Sequence, residues 1–577
     1  MGGLEGIIGL VILAMVIIGV VSGFSARLGV AAPLLLVLAG VGAAFIPGAP
    51  TIVLDPEVIL ELVLPPLLYA ASRKVPFVDF RRNLTVISSL AVVLVLVSAA
   101  VAAGVVKAMM PTVPLALAVA LGAVVAPPDA VAATSLGKRL GLPSRVVTIL
   151  EGEGLVNDAT ALVLLSTALS LVDGGQVSGI GVVGSFVWAV LGAVLVGDLV
   201  ALAAVKVRSR AGDAVLDTAL ALVTPFVSFL AAEAIDASGV VAVVCTGMVV
   251  GNHGIARLPA SRRRAEAANW ESFTMIAENG VFLVMGYLLP PVLRNVAADL
   301  PRVILVGLAV TVALITVRFA YMPLVLASMR HSARIREQRQ DRMEERFEQF
   351  DAIPESALDD RLVARLRQGR RRLQKARFDI TAQRDEALGW RDSVVLSLAG
   401  MRGVVTIAGV QTLSSDDVHD PLVLVAFVVA LATLLPQGFA LPAVVRALRP
   451  PADEEADDHE ADELVTLMGR LTDVARTSLE EEVARGGVDP KVEEVFRKRL
   501  DERSRRATAL GRGATGPAAD LGPQMRRLRQ AQLAAQRQAM AAERRMGEFS
   551  SESLAKAQRV LDDYEIQMER IEKEAAD

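Results

Sequence analysis

Apolar runs of about twenty residues, the length that crosses bilayer hydrocarbon as a helix, recur along this chain almost to residue 447. Lipid offers backbone groups no hydrogen-bond partners, so such runs must satisfy their own amides and carbonyls as helices. Thirteen candidate spans can be placed, near 5–23, 29–47, 56–72, 84–106, 113–136, 146–170, 179–205, 214–234, 238–252, 270–290, 302–328, 391–413 and 421–446. A hydrophobic share of 53% and a mean hydropathy of +0.49 over 577 residues exclude an ordinary soluble protein. The predicted fold is therefore all-α and polytopic. Val, Leu and Ala supply most of the apolar content, and small side chains let helices approach closely in lipid. The start, Met1-Gly2-Gly3-Leu4-Glu5, lacks a basic region, so the first span reads as retained and not as a cleaved leader. One cysteine, Cys245, sits in an apolar run and reads as a packing residue.

Charge in the short loops alternates. One set carries seventeen basic residues, among them Arg73, Arg81, Lys138, Arg208, Arg257 and Arg263, whereas the other carries only Lys107, Arg294 and Arg302. The positive-inside rule makes the first set cytoplasmic. The N-terminus then lies outside and the C-terminus inside, as an odd number of spans requires. Residues 1–328 and 391–447 form the membrane part. Residues 329–390 read as a charged cytoplasmic insert with a helical hairpin near Ile353-Pro354. Residues 448–577 read as a helical, partly disordered cytoplasmic tail, broken at Gly511–Pro523 before a Gln/Arg/Ala-rich helix. No glycine-rich dinucleotide fingerprint occurs in the tail. Insert and tail read either as solvated helices or as regulatory and dimer-contact segments.

Two spans are interrupted. The fifth breaks at Val125-Ala126-Pro127-Pro128-Asp129, where two prolines each remove a backbone donor. The twelfth breaks at Leu398-Ala399-Gly400-Met401-Arg402-Gly403. They stand seven spans apart, so two six-helix halves joined by span seven would carry matching breaks and face opposite ways. Paired interruptions of that kind point to a mid-membrane binding site. Asp129 would offset the helix N-termini meeting there, and Arg402 the C-termini.

The sixth span carries Glu151-Gly152-Glu153-Gly154-Leu155-Val156-Asn157-Asp158 within an otherwise apolar run. A carboxylate at mid-bilayer costs about 2.5–3.5 kcal/mol, and ionisable groups there mark ion or proton paths. Asp158 is the candidate carrier. A buried carboxylate holds either a proton or a small cation, and competition between the two suffices for exchange. Hard cations take oxygen ligands, which Asp158, the Asn157 amide, Asp129 and carbonyls near Pro127 could supply. Glu153 shares a helix face with Asn157, and Arg402 is its expected partner, a structural pair. Glu151 lies roughly 10 Å nearer the cytoplasm, as an entry funnel or an interfacial residue. Glu233 and Glu278 are secondary candidates, for site or for structure. Glu61 and Arg318 have no evident partner, and Asp198 and Asp217 stay ambiguous. The four histidines fall in loops or soluble segments, against a histidine proton relay and against a metal site.

These stretches resemble the electroneutral sodium/proton exchangers of the monovalent cation–proton antiporter superfamily, in particular the bacterial NhaP-like members. Leu142-Pro143 through Asp158-Ala159 is similar to the family's Gly-Glu-Ser-Leu-x-Asn-Asp signature, and Pro127-Pro128-Asp129-Ala130 to its broken-helix Asp motif. Ala232-Glu233 through Gly247 and Gly389-Trp390 through Val405 match two further stretches, and Ala277-Glu278 through Gly286 a weaker fifth. The resemblance implies thirteen helices in two inverted repeats, crossing broken helices, alternating access and a homodimer in the cytoplasmic membrane. It also implies Asp158 as the ion- and proton-binding carboxylate, with Asn157 and Asp129 beside it and a Glu153–Arg402 pair. An uncharged Asn157 suits one-for-one electroneutral exchange serving pH and salt homeostasis. Partners are monovalent cations, protons, lipid and a second copy; no cofactor and no nucleic acid is implied. Gly154 and Pro128 depart from the pattern, where many relatives carry Ser and Thr, which opens the choice among Na⁺, Li⁺ and K⁺. The rival functions are a K⁺/H⁺ antiporter, a gated channel, and a membrane sensor signalling through the tail. No nucleophile–base set suggests an enzyme.

Overall fold

The apolar runs fold into α1 (Leu4–Leu28), α2 (Ala32–Ala44), α3 (Leu64–Ser72), α4 (Phe77–Ser88), α5 (Val95–Met109), α6 (Leu115–Val125), α7 (Ser144–Val172), α8 (Gly179–Arg208), α9 (Ala214–Glu233), α10 (Gly239–Arg257), α11 (Ala260–Asn295), α12 (Leu300–Asp351), α13 (Trp390–Leu398) and α14 (His419–Leu448). The tail adds α15 (Glu454–Ala484), α16 (Gly522–Met546) and α17 (Ser551–Glu574). The structure, a computed structural model, describes residues 4–28, 32–46, 58–128, 142–172, 179–351, 378, 388–400, 409–411, 413, 419–448, 454–486, 488–498, 500 and 522–574, and these contain no strand. Six helical stretches are both long and apolar enough to cross a bilayer: 77–109, 144–172, 184–208, 214–233, 260–295 and 300–335. Five shorter apolar helices accompany them, at 11–25, 32–44, 115–125, 239–255 and 419–434. The protein is thus a multi-pass membrane protein. α12 continues past residue 328, where apolarity alone ends the span, as far as Asp351. Two π-helical turns that periodicity does not announce occur at Val58–Val63 and Ser89–Leu94. The expected hairpin at Ile353-Pro354 lies outside the described residues.

The chain divides into two units. The first comprises Met1–Asn252, Glu266–Ala327 and Leu388–Pro450. One apolar cluster in it joins Leu36 and Val37 of α2, Leu117 and Leu121 of α6, Val306 and Val310 of α12, and Leu422 and Val425 of α14. A second gathers Tyr69, Phe80, Ile87, Leu155, Val205, Val243 and Trp270. Helices α2 and α11 touch backbone to backbone: a Cβ at Gly40 would run into the Leu283 carbonyl, and one at Gly286 into that of Val37. Close approach of this kind supplies much of the packing energy available between helices in lipid.

Four charges in this unit form a buried network. Arg208, fully buried, reaches Asp217 through Nε at 2.9 Å and Nη2 at 3.2 Å. It reaches Glu266 through Nη1 at 3.1 Å and Nη2 at 2.9 Å. Arg73 Nη1 also meets Glu266, at 2.8 Å. Two of the basic residues that read as loop charges therefore tie the ends of α3, α8, α9 and α11 together, and Asp217 is a structural residue. The tilted ring pair Tyr69–Trp270 lies beside them, with centroids 5.2 Å apart and planes 54° from parallel.

The second unit comprises His253–Ala265, Ser328–Ala387 and Pro451–Asp577. α15, α16 and α17 bury Leu467, Leu471, Met540, Phe549, Leu554 and Leu561 among themselves. Arg470 lies 4.9 Å above the Phe549 ring and pairs with Glu548. The acidic side of α17 holds the start of α11: Glu565 accepts from the Ala260 amide at 2.8 Å, and Asp562 and Asp563 pair with Arg263 and Arg264. Arg544 stands nearby, and its buried Nε finds no acceptor among the described residues. Burial, with Arg263 adding like charge, lowers its guanidinium pKa to about 10. Its unfolded value is higher, so the unfolded chain holds that proton more tightly. The penalty on folding is complete below about pH 10 and fades as pH rises through that value.

Two outcomes follow from these charges. Asp217→Asn leaves Arg208 under-compensated in the core and should destabilise the protein by about 3–5 kcal/mol, read as a lower thermal unfolding midpoint in detergent. Arg544→Met should raise the unfolding midpoint of the tail at neutral pH, and the gain over wild type should shrink above pH 10.

Candidate ion-binding site

α7 carries the charged run, and its neighbours explain how it is tolerated. Glu153 is buried, with 1% of its surface exposed. Arg318 of α12 grips it with two parallel hydrogen bonds, Nη1 to Oε1 at 2.6 Å and Nη2 to Oε2 at 2.9 Å. The same guanidinium donates to the Leu396 carbonyl from Nε at 3.2 Å and from Nη2 at 3.0 Å. Leu396 lies in the last turn of the short helix α13, so Arg318 also offsets the partial negative charge of that helix end. Arg318 thus does both jobs that the sequence assigns to Arg402, pairing with Glu153 and satisfying a broken-helix C-terminus. Among the described residues the partner of Glu153 is Arg318, which bonds both of its oxygens; Arg402, the expected partner, lies outside the described residues. The missed signal is Arg318 in an apolar span, since a cation there needs an acidic partner on another helix.

The two interrupted spans meet at this point. A Cβ on Gly400, just beyond α13, would lie 3.0 Å from Arg318 Nε, 3.1 Å from its Cζ and 3.2 Å from Pro128 Cβ. A side chain there would press on a guanidinium already held by four hydrogen bonds, which favours glycine. Farther along, a Cβ on Gly409 would lie 2.9 Å from Val124 Cγ2 of α6. Pro127 and Pro128 offer no amide to the carbonyls of Ala123 and Val124, so the α6 ladder ends with Ala126 bonded to Gly122 at 3.0 Å.

Asn157, one turn beyond Glu153, is fully buried. Its Nδ2 donates to the Pro128 carbonyl at 2.7 Å. Its Oδ1 is buried without a hydrogen-bond partner among the described residues. An amide tied on its donor side and open on its acceptor side suits a ligand that wants oxygen, such as a cation. Asp158 follows, half-buried, at about 100° round the helix from Asn157. The arrangement joins a neutralised Glu153, an oriented Asn157 amide and a partly accessible Asp158 within two turns of α7.

The other predicted residues divide. Asp129 lies outside the described residues. Glu151 is half-buried at the start of the run, and Glu278 half-buried on α11. Glu233 caps a helix: its Oε1 accepts from the Gly239 amide at 2.8 Å, where α10 begins.

The sodium/hydrogen exchanger transmembrane family model matches residues 10–447. A Na⁺/H⁺ exchanger of Mycobacterium tuberculosis is 31% identical over 571 residues, covering 96% of this chain and 95% of the relative. The sodium, potassium, lithium and rubidium/H⁺ antiporter of Bacillus pumilus is 32% identical over 304 residues, half of this chain and 45% of that protein. The sodium proton antiporter MjNhaP1 of Methanocaldococcus jannaschii, 16% identical, superposes with a TM-score of 0.55 over 76% of this chain and 98% of its own; it shares the fold.

If Arg318 compensates Glu153, Arg318→Met should sharply reduce folded protein, measured by fluorescence-detected size exclusion, and Glu153→Gln combined with Arg318→Met should recover a large part of it. Gly400→Val should fail in the same assay for steric reasons, with no rescue from Glu153→Gln.

Proposed function

Because the chain belongs to the sodium/hydrogen exchanger family, a family of transporters and not of enzymes, we propose that it exchanges one monovalent cation for one proton through competition at Asp158. Na⁺, with Li⁺ as an alternative, moves outward across the cytoplasmic membrane against inward H⁺. The observation that carries this reading is the Asn157 amide: Nδ2 is committed to the Pro128 carbonyl, and Oδ1 is left as a buried acceptor next to Asp158. Glu153 has its charge compensated by Arg318, and Asn157 carries none. On this turn of α7 the titrating burden then falls on Asp158. A protonated Asp158 gives up its proton as the cation takes its oxygens, so the site's net charge is the same in both loaded states. Exchange is therefore electroneutral. Asp129 joins Asp158 and Asn157 as a ligand from the broken fifth span.

Transport proceeds by alternating access in a thirteen-helix scaffold of two inverted repeats, working as a homodimer with its N-terminus outside. Its cellular role is pH and salt homeostasis. A K⁺/H⁺ antiporter is the second reading. Gly154 and Pro128 supply no hydroxyl ligand, which loosens the geometry around a small ion, and the Bacillus pumilus relative is named for four alkali cations.

Proteoliposomes with an imposed pH gradient test both readings. Na⁺ or Li⁺ should trigger proton flux that is indifferent to membrane voltage and falls at least a hundredfold in Asp158→Asn. Flux triggered by K⁺ instead would select the second reading. Voltage-driven current without counter-transport, or flux that survives Asp158→Asn, would overturn the carrier assignment.

A further inference from the structure

Arg318 reaches the charged run from α12. Three residues on, and so on nearly the same helix face, Tyr321 Oη lies 2.7 Å from Ser89 Oγ. The hydroxyl also stands 3.5 Å from the Ser89 carbonyl oxygen. Ser89 is the first residue of the π-helical turn Ser89–Leu94, which joins α4 to α5. Turns of this kind interrupt helices at functional places more often than elsewhere. Leu90, Ala91 and Leu94 of that turn are buried. Ile87, just before it, and Phe80, in the first turn of α4, lie against Gly152: a Cβ there would run into Ile87 and lie 3.2 Å from Phe80 Cδ2. Gly152 precedes Glu153 directly. α4 and the π-turn therefore pack along α7 behind the charged run, and Tyr321 of α12 is bonded to the first residue of that turn.

The geometry points to Tyr321 as a positioning residue for ion exchange, holding the π-turn through Ser89 and thereby setting where Glu153, Asn157 and Asp158 stand relative to Arg318. This assignment rests on the exchange reading above. α12 then bears on the charged run directly, by the Arg318–Glu153 ion pair, and indirectly, by the Tyr321–Ser89 strut to the segment that follows Ile87. An ion pair alone leaves α7 free to pivot about it. The strut removes that freedom, and with it the spread of positions open to the Asn157 amide and the Asp158 carboxylate. A looser site binds its cation less tightly, whereas the conformational exchange that sets maximal rate uses whole helices and depends little on one hydroxyl.

The test is cation-dependent proton flux in proteoliposomes for Tyr321→Phe, Ser89→Ala, the double variant and Ser89→Thr. Tyr321→Phe keeps the ring and loses one oxygen. It should raise the apparent KM for the cation about three- to tenfold, the scale of one hydrogen bond, with maximal rate changed less than about twofold. Ser89→Ala should do the same, and the double variant should be no worse than either single change. Ser89→Thr, which keeps a hydroxyl, should restore the wild-type KM. A wild-type KM in Tyr321→Phe, additive effects in the double variant, or a lost maximal rate at unchanged KM would overturn the assignment. Active wild type with an unaffected Tyr321→Phe would sink this inference alone, whereas cation-independent flux in wild type would sink the exchange reading and this inference with it.

Discussion

The buried pair between Arg318 and Glu153 holds the site together. Two ionised groups inside a membrane protein are costly apart and tolerable only as a closely bonded unit. Here the guanidinium uses three nitrogens, two of them on the carboxylate and two shared with the Leu396 carbonyl. Those bonds join α7, α12 and the end of α13. Gly400 and Pro128 then pack against the same guanidinium region, which brings the end of α6 to the crossing. A lysine could not serve, since its point charge lacks the flat fork that meets a carboxylate and a carbonyl at once.

From that pair follows a division of labour on α7. Glu153 is committed to structure, and Asn157 is held by the Pro128 carbonyl. Asp158, half-buried, is the neighbouring group to which the proposed exchange assigns the ion. In the proposed exchange, the neutral amide beside a single carboxylate is what makes the charge of the loaded site the same with a proton or a cation. The geometry also gives the two proline positions a physical use. They end α6 and expose a carbonyl that orients the Asn157 side chain, and in the proposed exchange its oxygen serves the ion.

Much of this was legible in the sequence, because membrane helices announce themselves by length and apolarity. Among the described residues the greater part of the predicted spans is helical, and six helical stretches are long and apolar enough to cross a bilayer. The charged run, the double proline and Gly400 were each readable as departures from an apolar pattern. The partner of Glu153 was not. Arg318 and Arg402 both stand in apolar runs, and sequence spacing says nothing of which helix lies across from α7. Arg402 drew the assignment through its place in the broken span and lies outside the described residues, whereas Arg318, from another helix, is the cation that packing brings to Glu153. The π-turn at Ser89 was also invisible, since one extra residue in a helical turn leaves no compositional trace. Arg73 and Arg208 read as loop charges because they sit near span ends, yet they bind Asp217 and Glu266 in a buried network. The tail's hold on the start of α11 joins residues about 300 apart in the chain, beyond any local pattern.

The central claim is that one carboxylate trades one proton for one cation. Proton release on cation binding to the purified protein measures that trade directly, by calorimetry in buffers of differing ionisation enthalpy at a pH where the site is protonated. One proton should be released per cation bound, and none in Asp158→Asn. Two protons per cation, or undiminished release in Asp158→Asn, would contradict it.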